Sequence, residues 1–379
     1  MKILHIVPSY KPAYIYGGPI ESVSKLCEGL VEQGHQVDVF TTTANGETEL
    51  DLVPGQTVNV DGVQVTYFKR ITKDPTHVST ALWKHLYNTV GTYDIVHIQS
   101  WWSVLVIVSA MICLAKGAKI VVSPRGMLSI YIFNSGKSGV KKLIHNTVGK
   151  RLLAKTAFHA TAKSEYLECR EVIPNWKGFV LPNIISLPKV EVNRRSNEVF
   201  TMVFMSRVHP KKGIELLFKA IAALPFPFKL KIAGSGEEAY IKDLKEQAIQ
   251  LNISDNIEWL GWVDRTEKFN LLMQSDLFTL VSYNENFANV VIESLHVGTP
   301  VLVSYGVALS EFVMQNDMGW VTGLEIEAIT KKLTEIYNDK PKRDQINTTA
   351  PALIAEMFAP AKLIGDYAAN YQQIVANNL

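Results

Sequence analysis

Cysteine is scarce in this chain of 379 residues. Cys27, Cys113 and Cys169 are too few and too scattered for a disulfide framework or a zinc site. A reducing compartment fits that usage, so a cytoplasmic protein is expected. Long apolar runs are missing as well. The most membrane-like stretch, WWSVLVIVSAMICLA at 101–115, falls short of the roughly 20 residues that a spanning helix needs. It reads better as a buried helix. The opening MKILHIVPSY has neither the length nor the small-residue cleavage site of a signal peptide, and a buried first strand explains it. No Ser-His-Asp order, zinc pattern or Walker loop occurs. Acidic residues are absent from 101–150, where seven Lys and Arg lie: Lys116, Lys119, Arg125, Lys137, Lys141, Lys142 and Lys150.

What is present is ordinary globular composition, 47% hydrophobic and 20% charged, which excludes wholesale disorder. A single core of this size would be unusual, so two domains are expected. Net charge is +2 but unevenly spread. Residues 1–190 hold 20 Lys and Arg against 13 Asp and Glu, and the remainder holds 18 against 23. A basic first half suits an anionic partner: a phosphate-bearing acceptor, a membrane surface or nucleic acid. A solvated face with no partner fits the charges equally well.

Short apolar runs at 2–7, 36–42, 63–68, 95–99 and 119–123 predict strands, and amphipathic stretches at 20–33 and 103–115 predict helices. Strand, helix, strand at this spacing means βαβ units and parallel sheets. The pattern restarts with a strand at 199–205 and a helix at 213–223. Further strands are expected at 228–233, 257–260, 277–281 and 300–303. Two doubly wound Rossmann-like units therefore follow in series, with a polar linker near 185–198. The expected domains are 1–190 and 191–360, followed by a last helical segment, 361–379.

Three loops carry candidate chemistry. In SYNENFANVVIESLHVGTPV, 282–301, a strand end meets a helix start, where unpaired N–H groups and the helix dipole favour negative charge. Glu285 precedes that helix and Glu293 lies within it. The two could bind sugar or ribose hydroxyls, or be a capping Glu and a solvated one; spacing does not separate these. In SRVHPKKG, 206–213, Arg207 and Lys212 could neutralise a diphosphate. Gly17 and Gly18 let the backbone approach a ligand closely, or simply turn. His97, Gln99 and Arg125 stand at the ends of predicted parallel strands, where side chains face the ligand crevice. A fourth stretch, Gly234-Ser235-Gly236 with Ala239, looks like a dinucleotide fingerprint. It does not follow the first strand of its unit, where that fingerprint belongs.

Taken together, NENFANVVIESLHVGTPV, SRVHPKKG, GGPIESVSKLCEGLVEQGHQVDVFT, YDIVHIQS, VVSPRGML, FVLPN, LKIAGSGEE, IEWLGWV and SDLFTLVS resemble glycosyltransferase family 4, in the family's order and over nearly the whole chain. The resemblance implies the GT-B fold, α/β with two Rossmann-like domains facing across a cleft. It also implies retaining transfer of a sugar from a nucleotide-sugar donor to a glycan or lipid-diphosphate-linked acceptor, in cell-surface polysaccharide assembly. No nucleic-acid partner or cofactor is expected, and no metal, because the basic pair does the ion's work.

By the same resemblance, Glu293 holds the ribose and Glu285 lies near the donor sugar. The backbone of Asn286, Phe287, Ala288, Asn289 and Val290 holds sugar and phosphate, and Arg207 and Lys212 stabilise the departing diphosphate. Gly17, Gly18 and Gly234 adjoin the donor, the segment from Trp259 through Trp262 and Val263 frames the base, and the last helix crosses back to the first domain. His97, Gln99 and Arg125 are acceptor-side candidates. The chain departs from the family at Asn286 and Ala288, where glycines are usual, at Gln99, where a second His is frequent, and at Arg125, where many relatives carry His. Docking on an anionic inner membrane face is a further expectation, through Lys137, Lys141, Lys142, Lys150 and Arg151. The alternatives are a non-catalytic nucleotide-sugar or membrane-surface binding protein, an epimerase or phosphorylase on this fold, and an NAD enzyme.

Overall fold

The computed structural model describes residues 1–129, 131–132, 138–189 and 197–376. Lys137, and residues 190–196 of the expected linker, lie outside the described residues. The chain divides into two compact units. Unit 1 is Met1–Ser186 with Pro360–Leu379, and unit 2 is Leu187–Ala359.

Unit 1 contains strands β1 Lys2–Ile6, β2 Gln36–Thr42, β3 Ala44–Asn45, β4 Thr48–Glu49, β5 Thr57–Val60, β6 Val63–Phe68, β7 Ile95–Gln99, β8 Ile120–Ser123, β9 Ala157–Ala160 and β10 Gly178–Val180. Eight of them form one sheet in the order β10-β9-β8-β7-β1-β2-β6-β5, and β3 and β4 pair separately. Only β5 runs antiparallel in the large sheet. The chain winds outward both ways from β1, so the switch point lies between β1 and β7. Crevices form at the carboxyl ends of strands at such a point. Every residue of β7 is buried, as expected for a central strand covered on both faces.

The expected strands and helices of this unit form within about two residues of their predicted ends. The 101–115 stretch becomes the helix Val104–Ala115, whose start is capped by the Ser103 side chain accepting from the Val106 N–H. Trp101 is fully buried beside it and packs in the unit 1 core with Leu105, Val122 and Phe158. Among the described residues no helix is long and apolar enough to cross a membrane. The helix Pro360–Val375 belongs to this unit too and packs against the helix Gly18–Glu32. A Cβ on Gly29 would fall 2.0 Å from the Ile364 side chain, so glycine there lets the helix Gly18–Glu32 approach it.

Unit 2 has six strands: β11 Phe200–Met205, β12 Phe228–Ala233, β13 Ile257–Gly261, β14 Leu277–Leu280, β15 Val301–Ser304 and β16 Gly319–Thr322. They form one parallel sheet ordered β13-β12-β11-β14-β15-β16. Its switch point lies between β11 and β14, the two strands that lead into the 206–213 and 282–288 loops.

Candidate active site

At the carboxyl end of unit 2's sheet three loops brace one another. Tyr283 N–H donates to the Lys211 carbonyl at 2.9 Å, Glu285 N–H to Gly306 at 2.8 Å, and Ala308 N–H to the Glu285 carbonyl at 2.9 Å. Ser304 Oγ donates to the Ser282 carbonyl at 2.5 Å. A Cβ on Gly306 would strike the Ser282 and Tyr283 carbonyls at 2.6 and 2.5 Å, and one on Gly213 the Val281 carbonyl at 2.3 Å. Glycine at both positions is what permits the loops to meet.

Within this frame Lys212 is buried and its ammonium pairs with the Glu285 carboxylate. The capping arrangement for Glu285 is therefore not adopted. The residue that starts the helix Asn289–His296 is Ala288, at φ 64° and ψ 72°, and no side chain caps that helix. Phe287 is buried and packs edge-on to Phe358 at 6.4 Å between ring centroids. With Phe287 anchored inward, Asn286, Ala288, Asn289 and Val290 stay partly exposed. Glu293 is not a solvated helix residue. It is 3% exposed, and Lys268, from the helix Arg265–Met273, donates to it at 2.6 Å. Arg207 is exposed and, among the described residues, forms no hydrogen bond or ion pair.

The loop glycines after β12 serve packing. Gly234 has φ 141°, and a Cβ there would fall 1.9 Å from the Ser206 carbonyl. A Cβ on Gly236 would fall 2.1 Å from the Val208 carbonyl. The GSG pattern thus lets the loops after β11 and β12 run side by side, with Val208 N–H donating to Ser235 at 2.8 Å. Close packing accounts for the dinucleotide-like spacing. Trp262 is 76% exposed, and Val263 partly so.

In unit 1 the helix Gly18–Glu32 is preceded by Gly17 at φ 75° and ψ −145°, a conformation essentially reserved for glycine. Nothing lies within 4 Å of where its Cβ would be. His97 is fully buried and faces no solvent. Its Nδ1 meets Tyr371 Oη at 2.6 Å and its Nε2 meets Ser123 Oγ at 2.6 Å. Ser123 Oγ also meets His159 Nδ1 at 2.7 Å, and His159 Nε2 reaches the Leu181 carbonyl at 2.8 Å and Tyr367 Oη at 2.8 Å.

Proton order follows from the ends of this chain. A carbonyl only accepts, so a neutral His159 donates from Nε2 and accepts at Nδ1 from Ser123. Ser123 then accepts from His97 Nε2–H, and His97 Nδ1 accepts from Tyr371. Burial, reinforced by the Arg125 charge, holds His5 and His159 at about 3 and His97 well below its ordinary value, which keeps the chain neutral. As an acceptor-side candidate, His97 is therefore committed to holding Tyr371 of the last helix. Gln99, 3% exposed, gives its Oε1 to Arg125 Nε at 2.8 Å. Arg125, partly exposed, also donates to Asn183 Oδ1 at 3.0 Å and Ser22 Oγ at 3.4 Å.

The sequence profile described as "Glycosyl transferases group 1" matches residues 189–352, and "Glycosyl transferase 4-like domain" matches 17–183. The two profiles cover most of both units. The chain belongs to the group 1 glycosyltransferases. As a transferase it is 26% identical to an uncharacterized glycosyltransferase of Methanocaldococcus jannaschii, over 95% of each chain. It is 27% identical to the lipopolysaccharide core biosynthesis glycosyltransferase LpsE of Rhizobium meliloti, over 52% of this chain and 56% of LpsE.

Among solved structures, Anabaena HepE in complex with UDP and glucose superimposes with a TM-score of 0.75 at 17% identity, covering 98% of this chain and all of that one. Sucrose-phosphate synthase from Thermosynechococcus elongatus gives 0.76 at 17% identity, with both chains fully covered. The fold of this transferase is GT-B, two α/β units with parallel sheets.

Two side chains of the assembled loops escaped sequence reasoning. Lys268 gave no motif signal, because only the fold brings it to Glu293. Asn183 lay within the FVLPN stretch, but nothing in that stretch pointed to its partner Arg125.

Proposed function

We propose that this glycosyltransferase moves a sugar, with retained anomeric configuration, from a nucleoside diphosphate donor to a glycan or lipid-linked acceptor of a cell-surface polysaccharide. The observation that carries the reading is the cluster at unit 2's switch point. Lys212 on Glu285, the unpartnered Arg207 and the uncapped start of Asn289–His296 belong to loops that brace one another. Bond cleavage at an oxocarbenium-like transition state sends negative charge to the departing phosphate. Fixed donors aimed at that charge lower the barrier without reorganising.

Lys212 has three ammonium N–H donors, so it can keep Glu285 while a phosphate oxygen takes another. Glu285 therefore positions the cation rather than cancelling it. Glu293, fixed by Lys268, accepts ribose hydroxyls in this reading. HepE has been solved with UDP-glucose and LpsE is named for lipopolysaccharide core synthesis; both support the donor and setting proposed. Glucosyl or galactosyl donors on UDP are the first to test.

The decisive measurement is turnover across UDP-, GDP- and ADP-sugars, with thermal midpoint against each nucleotide and against NAD. One diphosphate family should raise the midpoint by mass action and support sugar transfer. A shift with NAD alone would overturn the reading.

A second feature favours work at a membrane surface. Leu143 is 64% exposed and Val148 39%. They lie among Lys141, Lys142, Lys150 and Arg151, in a stretch without acidic residues. Exposed apolar groups amid cations suit an anionic bilayer. Co-sedimentation with phosphatidylglycerol vesicles, and none with phosphatidylcholine alone, is the expected result; equal sedimentation with both would reject it.

A further inference from the structure

Arg125, two residues beyond the end of β8, has a guanidinium whose hydrogen-bond partners are all neutral. Nε and Nη1 donate to Gln99, Asn183 and Ser22. Nη2 makes no hydrogen bond among the described residues, and no carboxylate lies within ion-pair distance. Glu165, the acid whose field reaches it, is committed elsewhere. Its oxygens accept from Gly126 N–H at 2.6 Å, Thr161 N–H at 2.7 Å and Thr161 Oγ1 at 2.9 Å.

Two further observations bear on this cation's surroundings. The Gln99 amide turns its oxygen to Arg125 and leaves Nε2 buried without a partner among the described residues. An unmet buried donor costs about 1–3 kcal/mol. Arg125 itself has φ 52° and is followed by Gly126 at φ 74°. A non-glycine residue there stores on the order of 1 kcal/mol or more, which persists where surroundings over-determine it. Three separate elements, β7, the helix Gly18–Glu32 and the segment after β10, thus hold one guanidinium with two N–H groups to spare. The neighbouring histidines supply no anion and no competing charge, because His5, His97 and His159 are neutral.

We infer that Arg125, with Gln99 beside it, receives a phosphate group carried by the acceptor. Guanidinium forks match phosphate oxygens, which two free N–H groups on one nitrogen can engage. A sugar phosphate and a lipid-linked phosphate present the same chemistry to this pair. The inference rests on the transferase reading only in calling the ligand an acceptor.

The test is hydrogen–deuterium exchange of the full chain, read on peptides covering residues 123–129, so that phosphate at unit 2 does not confound it. The probes are sn-glycerol 3-phosphate, dihexanoyl phosphatidic acid and, as a neutral control, dihexanoylglycerol. Slowed exchange with both phosphates, or with the lipid alone, supports the inference, and the difference tells a free from a lipid-borne source. Arg125→Gln should raise the half-saturating concentration about tenfold or more. Arg125→Lys, which keeps the charge and loses the fork, should fall between, and it serves if Arg125→Gln does not fold. No protection by either phosphate, or wild-type protection in a folded variant, overturns it. Donor turnover in the same preparation separates the two readings. Turnover with silent peptides removes only the phosphate site, and Arg125-dependent protection without donor binding removes only the transferase reading.

Discussion

In unit 2 the lysines at the sheet's carboxyl end face carboxylates, Lys212 on Glu285 and Lys268 on Glu293. In unit 1 the cation at the equivalent edge, Arg125, faces an amide, another amide and a hydroxyl. The core behind it is a neutral relay of tyrosine, histidine and serine. Paired lysines can be buried and fixed in advance, since an uncompensated ammonium there would be costly. Such a pair orients a cation for a ligand that arrives already charged. An arginine left with neutral partners is cheaper to keep at a site that is still partly exposed, and it retains its attraction for an incoming anion. One fold template thus builds two kinds of anion-facing edge.

The largest effect should come from separating charge from pairing inside unit 2. Arg207→Ala removes an exposed side chain without a partner. Stability should stay within about 0.5 kcal/mol, while kcat falls about 10²–10³-fold, on the order of 3–4 kcal/mol. Lys212→Met should lose as much rate and in addition lower the melting midpoint, because it strands Glu285. Thermal scans beside steady-state kinetics on both variants decide this. Unchanged kcat in Arg207→Ala would break the leaving-group role, and equal stability of the two variants would break the pairing argument.

A smaller effect, opposite in location, tests the neutral character of unit 1. His5 is fully buried, and neither ring nitrogen has a hydrogen-bond partner among the described residues. Burial first, and then the Arg125 charge, lower it from 6.5 to about 3. The unfolded chain takes up a proton near 6.5 and the folded chain does not. The stability this histidine allows is therefore complete above about pH 6.5 and is lost progressively as pH falls toward 3, by up to about 1.4 kcal/mol per unit. His159 adds the same sign over the same window. His5→Leu should leave stability at pH 7 unchanged or raised, and make the decline between pH 6 and 4 shallower. An identical pH slope in the variant, followed by urea unfolding, would place the acid sensitivity elsewhere.

Much of this architecture was legible because the strands that matter are apolar runs bounded by turn residues. VFMSR before HPKKG and LFTLV before SYNEN could hardly be anything but central strands running into loops. The strands that went unread, β3, β4, β5, β9, β10 and β16, are two to four residues long. AFHA and GFV carry no period long enough to count, and they are strands only because a neighbour pairs with them. The charged loop residues were also readable, as residue types. Their partners were not: Glu285 meets Lys212 across 73 positions and Tyr371 meets His97 across 274. Spacing within one motif could not choose between a capping and a paired carboxylate, because the partner lies outside the motif.

The smallest effect concerns the residue where this chain departs most visibly from the glycine-rich family pattern. Ala288 starts the helix Asn289–His296 in the left-handed region, φ 64°. That conformation costs an L-residue about 1–2 kcal/mol. Ala288→Gly removes the cost but enlarges the freedom of the unfolded chain by about 0.5–1 kcal/mol. The net expectation is a gain of about 0.5–1 kcal/mol, a rise of a few degrees in the midpoint of unit 2. The braces from Lys211, Gly306 and Ser304 should be unaffected, since they act before residue 286. If backbone N–H groups here hold the donor, the substitution should change KM for the donor by only a few fold, because those groups remain. A fall in the midpoint would mean that the loop does not hold Ala288 left-handed in solution. The edge of unit 2 would then rest on its ion pairs alone, and its contrast with unit 1 would be one of charge and not of backbone geometry.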